Sequence, residues 1–139
     1  MTTLVDTSAW SVALRRTPDR LSSTQQIVVK EIEDLIARGQ ARMIGPIRQE
    51  LLSGIRNEEE FERLRSLLGM FSDEPLLTDD YEEAAFISNR CRRVGIAESH
   101  IDSLICAAAL RRDWAVLTTD HDFERYAIVV PLRLEFRES

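Results

Sequence analysis

Apolar and polar positions change period repeatedly along the chain, and each change predicts an element. Thr3 to Val5 is a short apolar run ending at a carboxylate, Asp6, and reads as a strand. Ser8 then stands where the cap of a helix running to about Arg16 would stand, with Thr17 and Pro18 breaking the pattern. Val28, Ile32, Leu35 and Ile36 recur at helical spacing and predict a helix from about Ser23 to Arg38, stopped by Gly39. Ala41 to Ile44 is a short strand, and Gly45-Pro46 opens a helix that ends near Gly54, with proline in the first turn where its missing N–H costs little. A helix from about Asn57 to Phe71 begins with three glutamates, Glu58 to Glu60, which suit a positive helix end.

Pro75 to Leu77 predicts a short edge strand, and Asp79 to Val94 a further helix. Ser99 to Arg112 is the most apolar helix, with Leu104, Ile105, Cys106, Ala107, Ala108, Ala109 and Leu110 in succession, so it is expected to be largely buried. Ala115 to Leu117 is a strand running into Thr118-Thr119-Asp120. A short helix from His121 to Ala127 and a strand from about Leu132 to Phe136 close the pattern. Strands alternating with helices imply an α/β fold with a mainly parallel sheet flanked by helices. Ligands of such sheets bind outside the carboxyl ends of the strands, where Asp6 and Asp120 both fall.

Composition narrows the picture. The 139 residues are the size of one domain, taken here as residues 1–139, and long enough for a core without disulfides. No apolar run approaches a membrane span, and the N-terminus lacks the features of a signal peptide, so a cytoplasmic protein without membrane attachment is expected. Cys91 and Cys106 are not at metal-ligand spacing and read as buried, inert thiols. The formal net charge of −6 argues against a general basic nucleic-acid binder. Lys30 is the only lysine, so every other cation is an arginine, whose fork suits phosphate, although gene composition alone could produce that bias. An acidic protein that handles phosphate needs positive charge from elsewhere, and divalent metal is the obvious source.

The candidate chemistry lies in four carboxylates, each with a plainer reading beside it. Asp6 could be a helix-capping or turn aspartate after a strand, although Ser8 already offers a cap. Glu50 falls on or beside the stripe of Ile47, Leu51 and Gly54, and could be either a site residue or a glutamate paired with an arginine there. Asp102 completes a capping box with Ser99, yet also faces the core side of its helix, with no lysine or arginine within a turn. Asp120 could cap the helix that follows, a task Asp122 could perform alone. His121 and His100 read as surface histidines. Together, an oxygen-only set suits a hard cation such as magnesium or manganese and not zinc. Clustered carboxylates repel one another unless a cation neutralises them, and such a site is equipped for attack of water on a phosphodiester.

The ordered segments LVDTSAW, GPIRQELLSG, IDSLICAAAL and VLTTDHDFERYA resemble the PIN domain, and within it VapC-type toxins of bacterial toxin–antitoxin pairs. The resemblance covers nearly the whole chain. It implies a five-stranded parallel sheet flanked by helices and a Mg2+- or Mn2+-dependent endoribonuclease acting on RNA. It also implies a homodimer and a cognate VapB-like antitoxin. By motif position it makes Asp6, Glu50, Asp102 and Asp120 the metal-holding catalytic acids, with Ser8, Thr118 and Asp122 in support. Trp114 departs from the pattern, where glycine is commoner. The expected partner groove comprises Leu14, Leu51, Leu52, Ile55 and the helix from Asn57 to Phe71.

Two rival classes fit less well. A phosphotransfer switch on a similar sheet needs an aspartate nucleophile and a positioned lysine, but Lys30 falls mid-helix. A haloacid-dehalogenase phosphatase needs an aspartate two residues after Asp6, where Ser8 stands. A catalytically silent interaction module would keep the fold without the activity, and only an assay separates it from an enzyme.

Overall fold

The computed structural model describes residues 1–14 and 20–136. Strand β1 (Thr3–Val5) leads into helices α1 (Thr7–Ala13) and α2 (Ser23–Ala37), then strand β2 (Ala41–Arg42). Helices α3 (Gly45–Leu52), α4 (Glu58–Leu68), α5 (Thr78–Arg93) and α6 (His100–Arg112) follow. Strand β3 (Ala115–Thr118), helix α7 (Asp122–Val129) and strand β4 (Arg133–Phe136) complete the order. The strands form one sheet in the order β2-β1-β3-β4, and every pairing is parallel. The chain leaves β1 for β2 on one side, whereas β3 lies on the other, so the order reverses between β1 and β3. A crevice at the carboxyl ends of such a pair is where parallel sheets bind ligands.

Both faces of the sheet are covered, so Leu4, Val5, Val116 and Leu117 are wholly buried. The apolar run of α6 is buried as expected, with Ile105 to Ala109 inaccessible. Cys91 and Cys106 are buried free thiols, and burial pushes both thiols up from their ordinary range, which keeps them protonated.

Two expectations need correction. The fifth strand does not form among the described residues: the segment before Pro75 contributes an isolated parallel bridge, Met43 with Asp73, where the Glu74 N–H donates to the Met43 carbonyl (2.8 Å). Pro75 has no N–H to extend that ladder. Helix α1 starts at Thr7 with Asp6 in the cap position, so Ser8 is not its cap. The expected end of that helix at Arg16, and its break at Thr17 and Pro18, lie outside the described residues, as does the end of the tail beyond Phe136. The turn into β3 passes through Trp114. The left-handed position is Asp113 (φ 60°), and the Trp114 ring lies 6.0 Å from the Arg42 guanidinium and 5.6 Å from that of Arg112.

Helices α5 and α6 are fastened by Asp80, which is fully buried. Its Oδ1 accepts from Arg111 (2.5 Å) and Arg112 (2.7 Å), and its Oδ2 from Arg112 (2.7 Å) and the Leu77 N–H (2.7 Å). The Arg112 guanidinium is the main reason that the Asp80 carboxyl lies well below the usual carboxylate range.

Candidate active site

The site grows out of strand register. Val5 pairs with Leu117, and the Asp6 N–H donates to the Leu117 carbonyl (2.9 Å), so Asp6 leaves the sheet beside Thr118. The Thr118 hydroxyl donates to Asp6 Oδ2 (2.8 Å), and the Ser8 hydroxyl donates to the same oxygen (2.8 Å). Each hydroxyl has one proton, and both are committed to Asp6, so the 3.2 Å between Ser8 Oγ and Thr118 Oγ1 is a close approach within the cluster. The hydroxyl oxygens accept in turn: Thr118 from the Asp120 N–H (3.0 Å), Ser8 from the Thr119 N–H (3.0 Å). Asp6 is 4% exposed. Burial raises its carboxyl above the ordinary value; Ser8, Thr118 and the Thr7 N–H oppose that rise, and the charge of Asp120 adds to it.

Asp120 lies just beyond β3, half-buried, and its Oδ1 accepts from the Asp122 N–H (2.9 Å). It therefore does brace the start of α7, the plainer role considered for it. Asp122 is ion-paired with Arg125 one turn on. Asp102 comes from the first turn of α6. The Ser99 hydroxyl accepts from the Asp102 N–H (3.1 Å), which is half of the expected capping box. The carboxylate that would make the other half accepts instead from the Tyr126 hydroxyl (2.7 Å). Burial, with the charges of Asp6 and Asp120, raises the Asp102 carboxyl to about 6, against the pull of Tyr126 and Ser99.

Asp6, Asp102 and Asp120 thus act electrostatically on one another, and no arginine or lysine among the described residues is ion-paired with any of them. Glu50 stands apart. It is exposed on α3, beside the buried stripe of Ile47 and Leu51, and none of the described hydrogen bonds or ion pairs joins it to the aspartates. Gly54 lies beyond the helix, at φ +84°. His121 and His100 are both exposed, and His121 is 3.5 Å from Glu124. Tyr126 was not singled out from the sequence: nothing local in α7 shows that its hydroxyl reaches Asp102, which lies 24 positions away on α6.

The donors are all oxygens and two of the carboxyls are held above their ordinary values, which is the chemistry that a divalent cation relieves. Among the described residues no three acidic, imidazole or thiol groups lie together so as to hold a metal ion. Mg2+ does not require three, because it keeps several waters and takes one or two carboxylates.

Residues 3–129 match the family model of the PIN domain. No curated protein matches the sequence. Among solved structures, the fold is similar to a chain of VapBC2 from Rickettsia felis bound to a DNA fragment from their promoter (TM-score 0.78, 16% identity, 98% of each chain covered). It is similar to a chain of FitAcB from Neisseria gonorrhoeae (TM-score 0.74, 20% identity, 95% of each chain). It is also similar to a chain of VapBC-5 from Mycobacterium tuberculosis, a member of the VapBC family of toxin–antitoxin systems (TM-score 0.64, 16% identity, 100% of each chain). At these identities the likeness is one of fold.

Proposed function

The chain belongs to the PIN domain family, and from that premise we propose that it is a Mg2+- or Mn2+-dependent endoribonuclease, the toxin of a VapBC-type toxin–antitoxin pair. The observation that carries the reading is the mutual electrostatic influence of Asp6 and Asp120, beyond the carboxyl ends of β1 and β3, and Asp102, in the first turn of α6, without an ion-paired basic side chain among the described residues. Asp6 and Asp120 would hold the principal ion; Asp102 and Glu50 would complete the site directly or through water. A bound divalent ion supplies water activation at neutral pH and charge stabilisation at the leaving oxygen. The chain's own contribution is order. Ser8 and Thr118 hold one oxygen of Asp6, and the Asp122 N–H holds one oxygen of Asp120, so both side chains are already restrained and less rotamer freedom is left to lose when an ion binds. Attack by water and not by the ribose 2′-hydroxyl forms no cyclic phosphate, and with the 3′-oxygen as the leaving group the product carries a 5′-phosphate and a free 3′-hydroxyl.

Purified protein freed of its partner should cleave cellular RNA with Mg2+ or Mn2+, lose that activity in EDTA, and not regain it with zinc. Cleavage at full rate in EDTA would point to a metal-free ribonuclease. Intact RNA with both ions would favour a silent interaction module.

The reading also implies a homodimer and a cognate antitoxin that places a basic side chain near the aspartates, where the uncompensated negative charge attracts it. The VapBC complexes of similar fold support it. A groove of about 250 Å3 between α1, α2 and α4 suits an apolar peptide; Leu14, Val29, Ile36, Leu67 and Met70 line it, and so does Trp10, whose buried Nε1 has no described acceptor. The expected groove is thereby redrawn. Leu14 and α4 line it, but Leu51 is buried in the core, Leu52 lines a separate depression with Phe61 and Arg65, and Ile55 packs on the core. Purification from the native host should bring down the partner, and light scattering should give at least twice the chain mass. A permanently partner-free monomer would count against both.

A further inference from the structure

Tyr126 is 2% exposed, and its hydroxyl donates to Asp102 Oδ2 at 2.7 Å. Its ring is held edge-on by Phe123, with centroids 5.1 Å apart. The same short helix, α7, is pinned at its start by Asp120 Oδ1, which accepts from the Asp122 N–H (2.9 Å). One element therefore fastens to the aspartate at the end of β3 and, a turn later, reaches across to the aspartate of α6.

A buried phenol needs an acceptor, but a neutral one would serve a purely structural strut at lower desolvation cost. This phenol meets a carboxylate whose neighbours are two further aspartates. One bond occupies one of roughly four lone-pair positions of the carboxylate and leaves the others available to a cation. We propose that Tyr126 is a positioning residue: through its hydrogen bond to Oδ2 it fixes the Asp102 side chain in the orientation that a divalent cation requires. The proposal rests on the metal-dependent reading of the aspartates and assigns to this chain a supporting donor beyond Ser8, Thr118 and Asp122.

The test is Mn2+ titration by calorimetry on wild type, Tyr126→Phe, Asp102→Asn and the double variant, with melting in EDTA measured alongside. Phe keeps the ring packing and removes only the donor. Tyr126→Phe should bind Mn2+ about 10-fold more weakly, the loss typical of a support removed from a metal ligand. In the Asp102→Asn background the same change should add little, because the two residues act through one bond. Wild-type affinity in Tyr126→Phe would overturn the proposal, as would an undiminished effect in the Asp102→Asn background. If wild type takes up no Mn2+, the metal-dependent reading falls and this proposal with it. If Tyr126→Phe melts far below wild type in EDTA, Phe123→Leu decides the matter. That variant disturbs the packing but keeps the hydroxyl: retained Mn2+ affinity supports the proposal, and an equal loss reduces Tyr126 to a strut.

Discussion

Asp80→Ala should lower the melting temperature steeply while leaving the aspartate site competent. Asp80 is wholly buried and accepts from Arg111, Arg112 and the Leu77 N–H, so its removal takes a buried partner from two guanidinium groups, leaving Arg111 its pair with Asp79, and opens the start of α5. Arg112, 15% exposed at its side chain, suffers most, because it keeps only backbone carbonyls, the edge of Glu74 and the Trp114 ring. Removing one partner of a buried pair costs roughly 3 to 5 kcal/mol, since the other charge stays buried. For a chain of this size that is a fall of about 10 to 20 °C. Asp80→Asn should fall less, because its amide oxygen still accepts from a guanidinium. The site should survive at low temperature: Arg112 and Asp102 are at opposite ends of α6, separated by about 15 Å of helix. Calorimetric melts and a cold RNA-cleavage assay check both halves. A variant melting within a few degrees of wild type would show that the cluster contributes little.

Asp80 also marks where sequence reasoning ends. An acid in the first turn of a helix is ordinary, and nothing nearby in the chain signals that this one is buried. Its partners, Arg111 and Arg112, are more than thirty positions away and look like cations suited to the C-terminal end of α6. By contrast, the apolar run of α6 and the strand endings at Asp6 and Thr118 follow from local periodicity, and the structure agrees. The edge strand expected at Pro75 to Leu77 shows how weak a short signal is: the composition suited a strand, but among the described residues the backbone there pairs only through an isolated bridge at Asp73.

Ser8 shows the same limit at the site. Locally it is a good cap, and only the family resemblance set it, with Thr118, in support of the carboxylates. Once β1 pairs with β3, the hydroxyl finds the Asp6 carboxylate and the Thr119 N–H instead, and the capping reading fails for a long-range reason. Tyr126 and Asp102 are a second case. The capping box is half formed, and a contact between two helices takes the carboxylate away from it. The positions of Asp6, Asp102 and Asp120 in the sequence were legible because each sits at an element boundary. Their electrostatic coupling was not, because it depends on which strands are neighbours.

Asp6→Asn should reduce RNA cleavage by orders of magnitude and leave the metal-free protein as stable as wild type or more so. An amide is a poor ligand for a hard cation, which accounts for the first half. The second half follows from burial. The wild-type carboxylate is 4% exposed and is repelled by Asp120; the amide oxygen can still accept from Ser8 and Thr118 without carrying the charge. The pH dependence carries the same sign. Asp6 and Asp102 have folded pKa values above the ordinary 3.8, with Asp102 raised to about 6, so the folded state binds protons that the unfolded state releases. For these groups, stability of the metal-free protein rises as pH falls from 7 through 6 towards 4. Asn at position 6 removes one such group and eases the other, so the variant should show a shallower rise. Mg2+ should stabilise wild type by mass action, and more at pH 7 than at pH 5, because protons compete for the same oxygens. The variant should gain less at either pH. Melts in EDTA and in Mg2+ at the two pH values, with a cleavage assay, test every part. A capping aspartate would behave in the opposite way: its loss would cost roughly 1 kcal/mol without metal, and its stabilising charge would be lost on acidification. A variant that melts well below wild type in EDTA and still cuts RNA would make Asp6 a structural residue and leave the metal-dependent reading without its central ligand.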